Sequence, residues 1–202
     1  MKALIVVDAL KDFMPGGALA VTDGDQIIPI INKLFPKYDL VIFANDWHEN
    51  NNIYFAASHE GKQPFEQIEI NGKLDTLWPI HAVKNTEGAD FHDDLQLGLI
   101  KGDFYIFRKG TLTNSHPYGA FGDKMETTGL EEYLNSKNVK TVHVCGLATD
   151  FCVKDTAVDA AKLGFETFVI LDATRSINPD LEETLKIFKD NNVNLINSDK
   201  IL

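Results

Sequence analysis

Residues 141–164 read TVHVCGLATDFCVKDTAVDAAKLG. The first part, 141–145, reads as a strand. Residues 149–163 read as a helix, with Thr149 as its N-cap and Gly164 as its stop. Residues 165–171 read as the next strand. Strand, helix and strand in succession need a crossover, which makes the two strands parallel.

The alternation continues toward both termini. Lys2–Val7 is an apolar run without polar alternation, the pattern of a strand buried on both faces. Residues 25–34 space Ile27, Ile30, Ile31 and Leu34 as a helix does, with Asp23 as a cap and Pro29 in the first turn. Strands are expected at 40–44, 104–107 and 194–196, and short helices at 130–134 and 181–188. The expected fold is α/β: three layers, a mostly parallel central sheet of about six strands, and helices on both faces. One domain over 1–202 is expected, with one long irregular excursion at about 46–103, rich in Asn, Gly, His and Pro. A connection of that length is usually functional.

Composition narrows the classes. The chain has 202 residues, 44% hydrophobic and 24% charged, so disorder is excluded. Two cysteines exclude a disulfide scaffold. No apolar stretch approaches the roughly 18 residues of a spanning helix, and no secretory signal precedes Lys2–Val7, so a cytoplasmic protein without a membrane partner is expected. Thirty acidic against nineteen basic residues give a net charge of −11, which argues against nucleic acid as a partner.

Open α/β sheets place ligands beyond the carboxyl ends of their strands. Asp8 follows the first strand, Asp46 and His48 the second, Lys109 the third, and Cys152 the fourth. Polar residues also end apolar runs for no chemical reason, but four consecutive strands delivering titratable groups to one edge argue for a site. Cys152 is expected near a helix N-terminus, where the dipole and free N–H groups favour a thiolate. Cys145 lies within a strand and reads as a buried small hydrophobe. No histidine is near Cys152 in sequence, so Asp8 is the candidate base and Lys109 the group that polarises the pair.

Asp46 and His48 point the same way in an extended segment. A carboxylate and an imidazole make part of a metal site, and His81 offers a third ligand. His59, His92, His116 and His143 carry no assigned role.

Six segments together resemble the nicotinamidase/pyrazinamidase group of the isochorismatase-like cysteine hydrolases. They are residues 6–13, 45–48, 55–59, 78–83, 108–110 and 145–153, in the order the family has them. The resemblance implies a catalytic triad of Asp8, Lys109 and Cys152 and metal ligands Asp46, His48 and His81. It implies a divalent metal, zinc first, with iron or manganese also compatible. It implies Phe13 and Trp78 flanking a pyridine ring, Tyr118 in the pocket, and a cis peptide between Leu147 and Ala148, both beside the substrate. The oxyanion hole would be the backbone N–H groups of Ala148 and Cys152. The implied substrate is nicotinamide, with pyrazinamide and self-association left open. Asn52 stands where many relatives carry a further histidine, and Phe151 differs from some. Two other readings compete: a ureido or carbamoyl amide hydrolase of the same superfamily, and a non-enzymatic phosphoacceptor module.

Overall fold

In chain order the elements are Lys2–Val7 (β1), Ile28–Leu34 (α1), Leu40–Asp46 (β2), Gln67–Ile70 (β3), Lys73–Thr76 (β4), Asp103–Lys109 (β5), Leu130–Ser136 (α2), Thr141–Leu147 (β6), Lys154–Lys162 (α3), Glu166–Arg175 (β7), Glu182–Asp190 (α4) and Asn194–Ile196 (β8). The computed structural model describes residues 1–202. Six strands form one sheet in the order β5-β2-β1-β6-β7-β8, every neighbouring pair parallel.

The apolar run of β1 explains its central place. Alternate residues enter opposite cores. Leu4 and Val6 pack with Ile28, Ile31 and Leu34 of α1 on one face. Ala3, Ile5 and Val7 pack with Leu130 and Leu134 of α2, Ala157 and Ala160 of α3 and Phe188 of α4 on the other. A strand sandwiched between two helical layers has no wet face, hence no polar alternation.

The chain builds the sheet outward from β1 through β2 to β5, then returns to β1's other side and continues from β6 to β8. The reversal lies between β1 and β6, and such a switch point opens a crevice at the carboxyl ends. The register puts Asp46, the last residue of β2, opposite Lys109, the last residue of β5. Both strands therefore run two residues further than their apolar cores.

Three expectations are corrected. Asp23 makes no side-chain cap; it takes a left-handed conformation, φ 56°, before a tight turn at Gly24–Ile27 that leads into α1. Thr149 is not a cap either. The helix begins with a wide turn in which Val153 N–H donates to the Ala148 carbonyl, 3.0 Å, while the Thr149 hydroxyl pairs with that of Thr174. Regular helix starts only at Lys154, and Gly164, φ 91°, follows its end. The excursion is not wholly irregular. It holds an antiparallel hairpin, β3 against β4, turned at Asn71 and Gly72 with φ of 52° and 78°. No helix is long and apolar enough to cross a membrane.

Candidate active site

Asp8 leaves β1 with φ 47°, a left-handed conformation that Asp tolerates better than most side chains. Its Oδ1 accepts the backbone N–H of Asp46 at 2.7 Å, and Oδ2 lies 3.0 Å from Lys109 Nζ. Lys109 also contacts Asp46 Oδ1 and reaches Cys152 Sγ at 3.5 Å. One ammonium thus bridges both carboxylates and the thiol, shut off from solvent.

Charges in such a place control one another. Burial pushes the Asp8 carboxyl up and the Asp46 charge adds to that, against Lys109, leaving it at about 6. Burial also works against Asp46 ionising, but the Lys109 ammonium works the other way, and Asp46 ends well below its ordinary value. For Lys109 burial works downward, yet Asp46 and Asp8 prevail and keep it charged. Cys152 differs from the expected thiolate. Burial lifts its thiol well above the ordinary value despite the lowering effect of Lys109. The resting group is a thiol, so the site needs a base, and Asp8 is within reach: ligand atoms of Asp8, Asp46 and Cys152 all lie within 4.8 Å of one another.

The other carboxylate oxygen of Asp46 faces two imidazoles. His48 Nε2 is 3.5 Å away and His81 Nε2 3.7 Å. His48 Nδ1 donates to the Gly110 carbonyl at 2.9 Å, and His81 Nδ1 to the Pro79 carbonyl at 2.7 Å. A carbonyl only accepts, so in each neutral ring the proton is on Nδ1 and the Nε2 lone pair turns to Asp46. Asp46 Oδ2 and His48 Nε2 are buried with no hydrogen-bond partner. An anionic oxygen and two lone pairs converging without a proton between them fit a divalent cation.

His116 completes the group. Its ring stacks on His48, centroids 4.5 Å apart and planes within 16°. It offers a ligand atom within 4.8 Å of those of Asp46, His48 and His81. Burial holds it well below its ordinary value, so it is neutral, and neither nitrogen has a partner. An orphaned buried polar group costs about 1–3 kcal/mol. No signal in Ser115-His116-Pro117 marks this histidine; only the fold brings it in. Asn52 stays out of the cluster. Its amide donates to the carbonyls of Leu112 and Ser115, at 3.1 and 2.9 Å, and its oxygen accepts from Tyr54 N–H at 2.9 Å.

A small cavity opens onto both clusters. Asp46, His81 and His116 line one part, Cys152 and Ala148 another, and Phe13, Leu19, Trp78, Tyr118, Phe151 and Ile177 the rest. Trp78 Nε1 donates to the Tyr118 hydroxyl at 3.0 Å, which donates to Asp75 at 3.2 Å. Phe151 meets Trp78 edge-on at 5.0 Å. The peptide between Leu147 and Ala148 is cis. The side chain of Leu147 does not reach the cavity; it is fully buried in the apolar core, packed against Gly24.

Known proteins resemble this chain in sequence and in fold. The family model described as the isochorismatase domain matches residues 2–193. A nicotinamidase of Acinetobacter baylyi is 45% identical over 87% of this chain and 82% of its own length. The solved structure of an Acinetobacter baumanii nicotinamidase/pyrazinamidase superposes with a TM-score of 0.94 at 44% identity, covering 100% of this chain and 98% of that one. A pyrazinamidase of Pyrococcus horikoshii, solved in complex with zinc, gives 0.80 at 37% identity, covering 97% and 98%.

Proposed function

This chain belongs to the isochorismatase-domain family, and from that footing we propose that it is a nicotinamidase, hydrolysing nicotinamide to nicotinate and ammonia. The observation that carries the reading is that one small aromatic cavity is lined both by the Cys152 thiol and by Asp46 and His81 of the cation cluster. A thiol alone would suit any amide. A cation cluster beside it suits an amide whose ring carries a nitrogen donor, which ureido and carbamoyl compounds lack.

Asp46, His48 and His81 would hold the cation. When bound, it would supply a Lewis acid for the ring nitrogen, and zinc is the first candidate, as in the pyrazinamidase solved with it. The ring would lie among Phe13, Trp78 and Phe151, with Tyr118 fixing the Trp78 indole through its hydrogen bond.

The chemistry then belongs to the triad. Asp8 takes the Cys152 proton, and Sγ bonds to the amide carbon. The backbone N–H groups of Ala148 and Cys152 receive the oxyanion. Asp8 returns the proton to nitrogen, the C–N bond breaks, and ammonia leaves a thioester. Water attacks that thioester and gives its proton to Asp8. The C–S bond breaks, Asp8 reprotonates sulfur, and nicotinic acid departs. Lys109 stays charged throughout and keeps Asp8 ionised within its buried setting.

A phosphoacceptor role finds no support in the geometry, because Asp8 is fully buried and does not line the cavity. The test is ammonia release from nicotinamide by wild type beside Cys152→Ala, with a carbamoyl amide as the competing substrate. Loss on the order of 10⁴-fold or more in the variant is expected. Turnover of the carbamoyl amide alone would replace this reading.

A further inference from the structure

We infer that His116 is a fourth protein ligand of the cation, set in place by Asn52; this rests on the cation cluster of the function proposed above. His116 is 7% exposed, and no hydrogen bond reaches either ring nitrogen. A neutral imidazole has one donor and one acceptor, and a side chain buried without using either is a rare arrangement. His48 and His81 each place one nitrogen on a backbone carbonyl. His116 has no such tether, so both nitrogens remain available. One of them comes within 4.8 Å of the donor atoms of Asp46, His48 and His81. Its ring is packed on three sides: stacked on His48, edge-on to His81 at 5.6 Å, and edge-on to Tyr118 at 5.3 Å.

Asn52 supplies the positioning. Its amide grips the carbonyls of Leu112 and Ser115, the segment that delivers His116 to the cluster. The carbonyl of Ser115 belongs to the peptide that leads directly into His116, so this bond sets where the ring enters. Four side chains around a cation leave no tetrahedral vacancy. A substrate atom would then bind only if the ion expands to five or six neighbours, which zinc, iron and manganese all permit.

The test uses zinc alone, without substrate. His116→Phe keeps a flat ring for the stack and removes both nitrogens. Zinc affinity is measured by competition with a chromophoric chelator, and cobalt is substituted to read the coordination spectrum. We expect zinc binding weakened by at least about tenfold, the cost seen even for ligand-orienting groups, and an altered cobalt spectrum. Asn52→Ala should shift both in the same direction but less. X-ray absorption on zinc-loaded wild type needs no variant and should count three imidazoles. Two imidazoles, or wild-type affinity and spectrum in His116→Phe, would overturn the assignment. Asp46→Asn separates the two readings. If it abolishes zinc binding while His116→Phe does not, only the fourth ligand falls. If neither matters, the cation cluster itself falls.

Discussion

Gly110 brings its carbonyl 2.9 Å from His48 Nδ1, and the His48 ring occupies the space where a side chain at 110 would begin. A Cβ there would stand 2.3 Å from His48 Cε1, on a backbone with φ 66° that disfavours any side chain. The glycine is required twice, by conformation and by contact. Gly110→Ala should displace the imidazole. We expect less zinc per chain by elemental analysis and a raised KM, with the fold retained by circular dichroism. Full zinc content would show that the ring can be accommodated elsewhere.

Lys109 is the counter-ion of two buried carboxylates. Lys109→Met removes the charge while keeping the bulk. Leaving Asp8 and Asp46 together without it should cost about 3–5 kcal/mol in urea unfolding at neutral pH, and turnover should vanish. A variant of wild-type stability would mean that one carboxylate is protonated at rest.

Removing the cation should act mainly on binding. In chelator-treated protein KM should rise steeply with kcat changed little, because the proposed mechanism runs its proton transfers between Asp8 and Cys152. Steady-state kinetics on metal-free and zinc-restored samples decide this. A collapse of kcat at saturating nicotinamide would assign the cation a part in the bond-making steps.

His143 gives the fold an acid-sensitive point far from the cavity. Burial, and secondarily Lys2, depresses it to about 4, with Glu166 opposing. Its Nδ1 pairs with the Tyr38 hydroxyl and its ring faces Phe168. The unfolded chain takes up this proton near pH 6.5, the folded one only near 4. Unfolding therefore binds a proton between those values, and stability contributed above pH 6.5 is lost as pH falls toward 4. His143→Gln should flatten that part of the curve of Tm against pH. An identical slope in both proteins would assign the sensitivity to other groups.

The strands of the sheet were legible because apolar runs without alternation have one physical explanation, burial on both faces. Their ends located Asp8, Asp46, Lys109 and Cys152 for the same reason. The hairpin at Gln67–Thr76 escaped although its signal is present: Asn71-Gly72 suits a turn needing positive φ at both positions, but Lys73 and Leu74 are exposed and show no clear apolar face. His116 escaped for a deeper reason. Its neighbours predict only a loop, and its placement depends on Asn52, far earlier in the chain. The state of Cys152 escaped because position near a helix start is local, whereas desolvation is a property of the whole surrounding fold.

The groups of the site arrive from four adjacent strands, in the order β5-β2-β1-β6. β5 is the outermost of these and contributes Lys109, without which Asp8, Asp46 and Cys152 lack their shared cation. An assembly lacking only that edge strand could keep much of its apolar core and its helices while being chemically silent. Return of turnover after dilution from denaturant thus requires β5 to have paired with β2, however much helical signal has already returned.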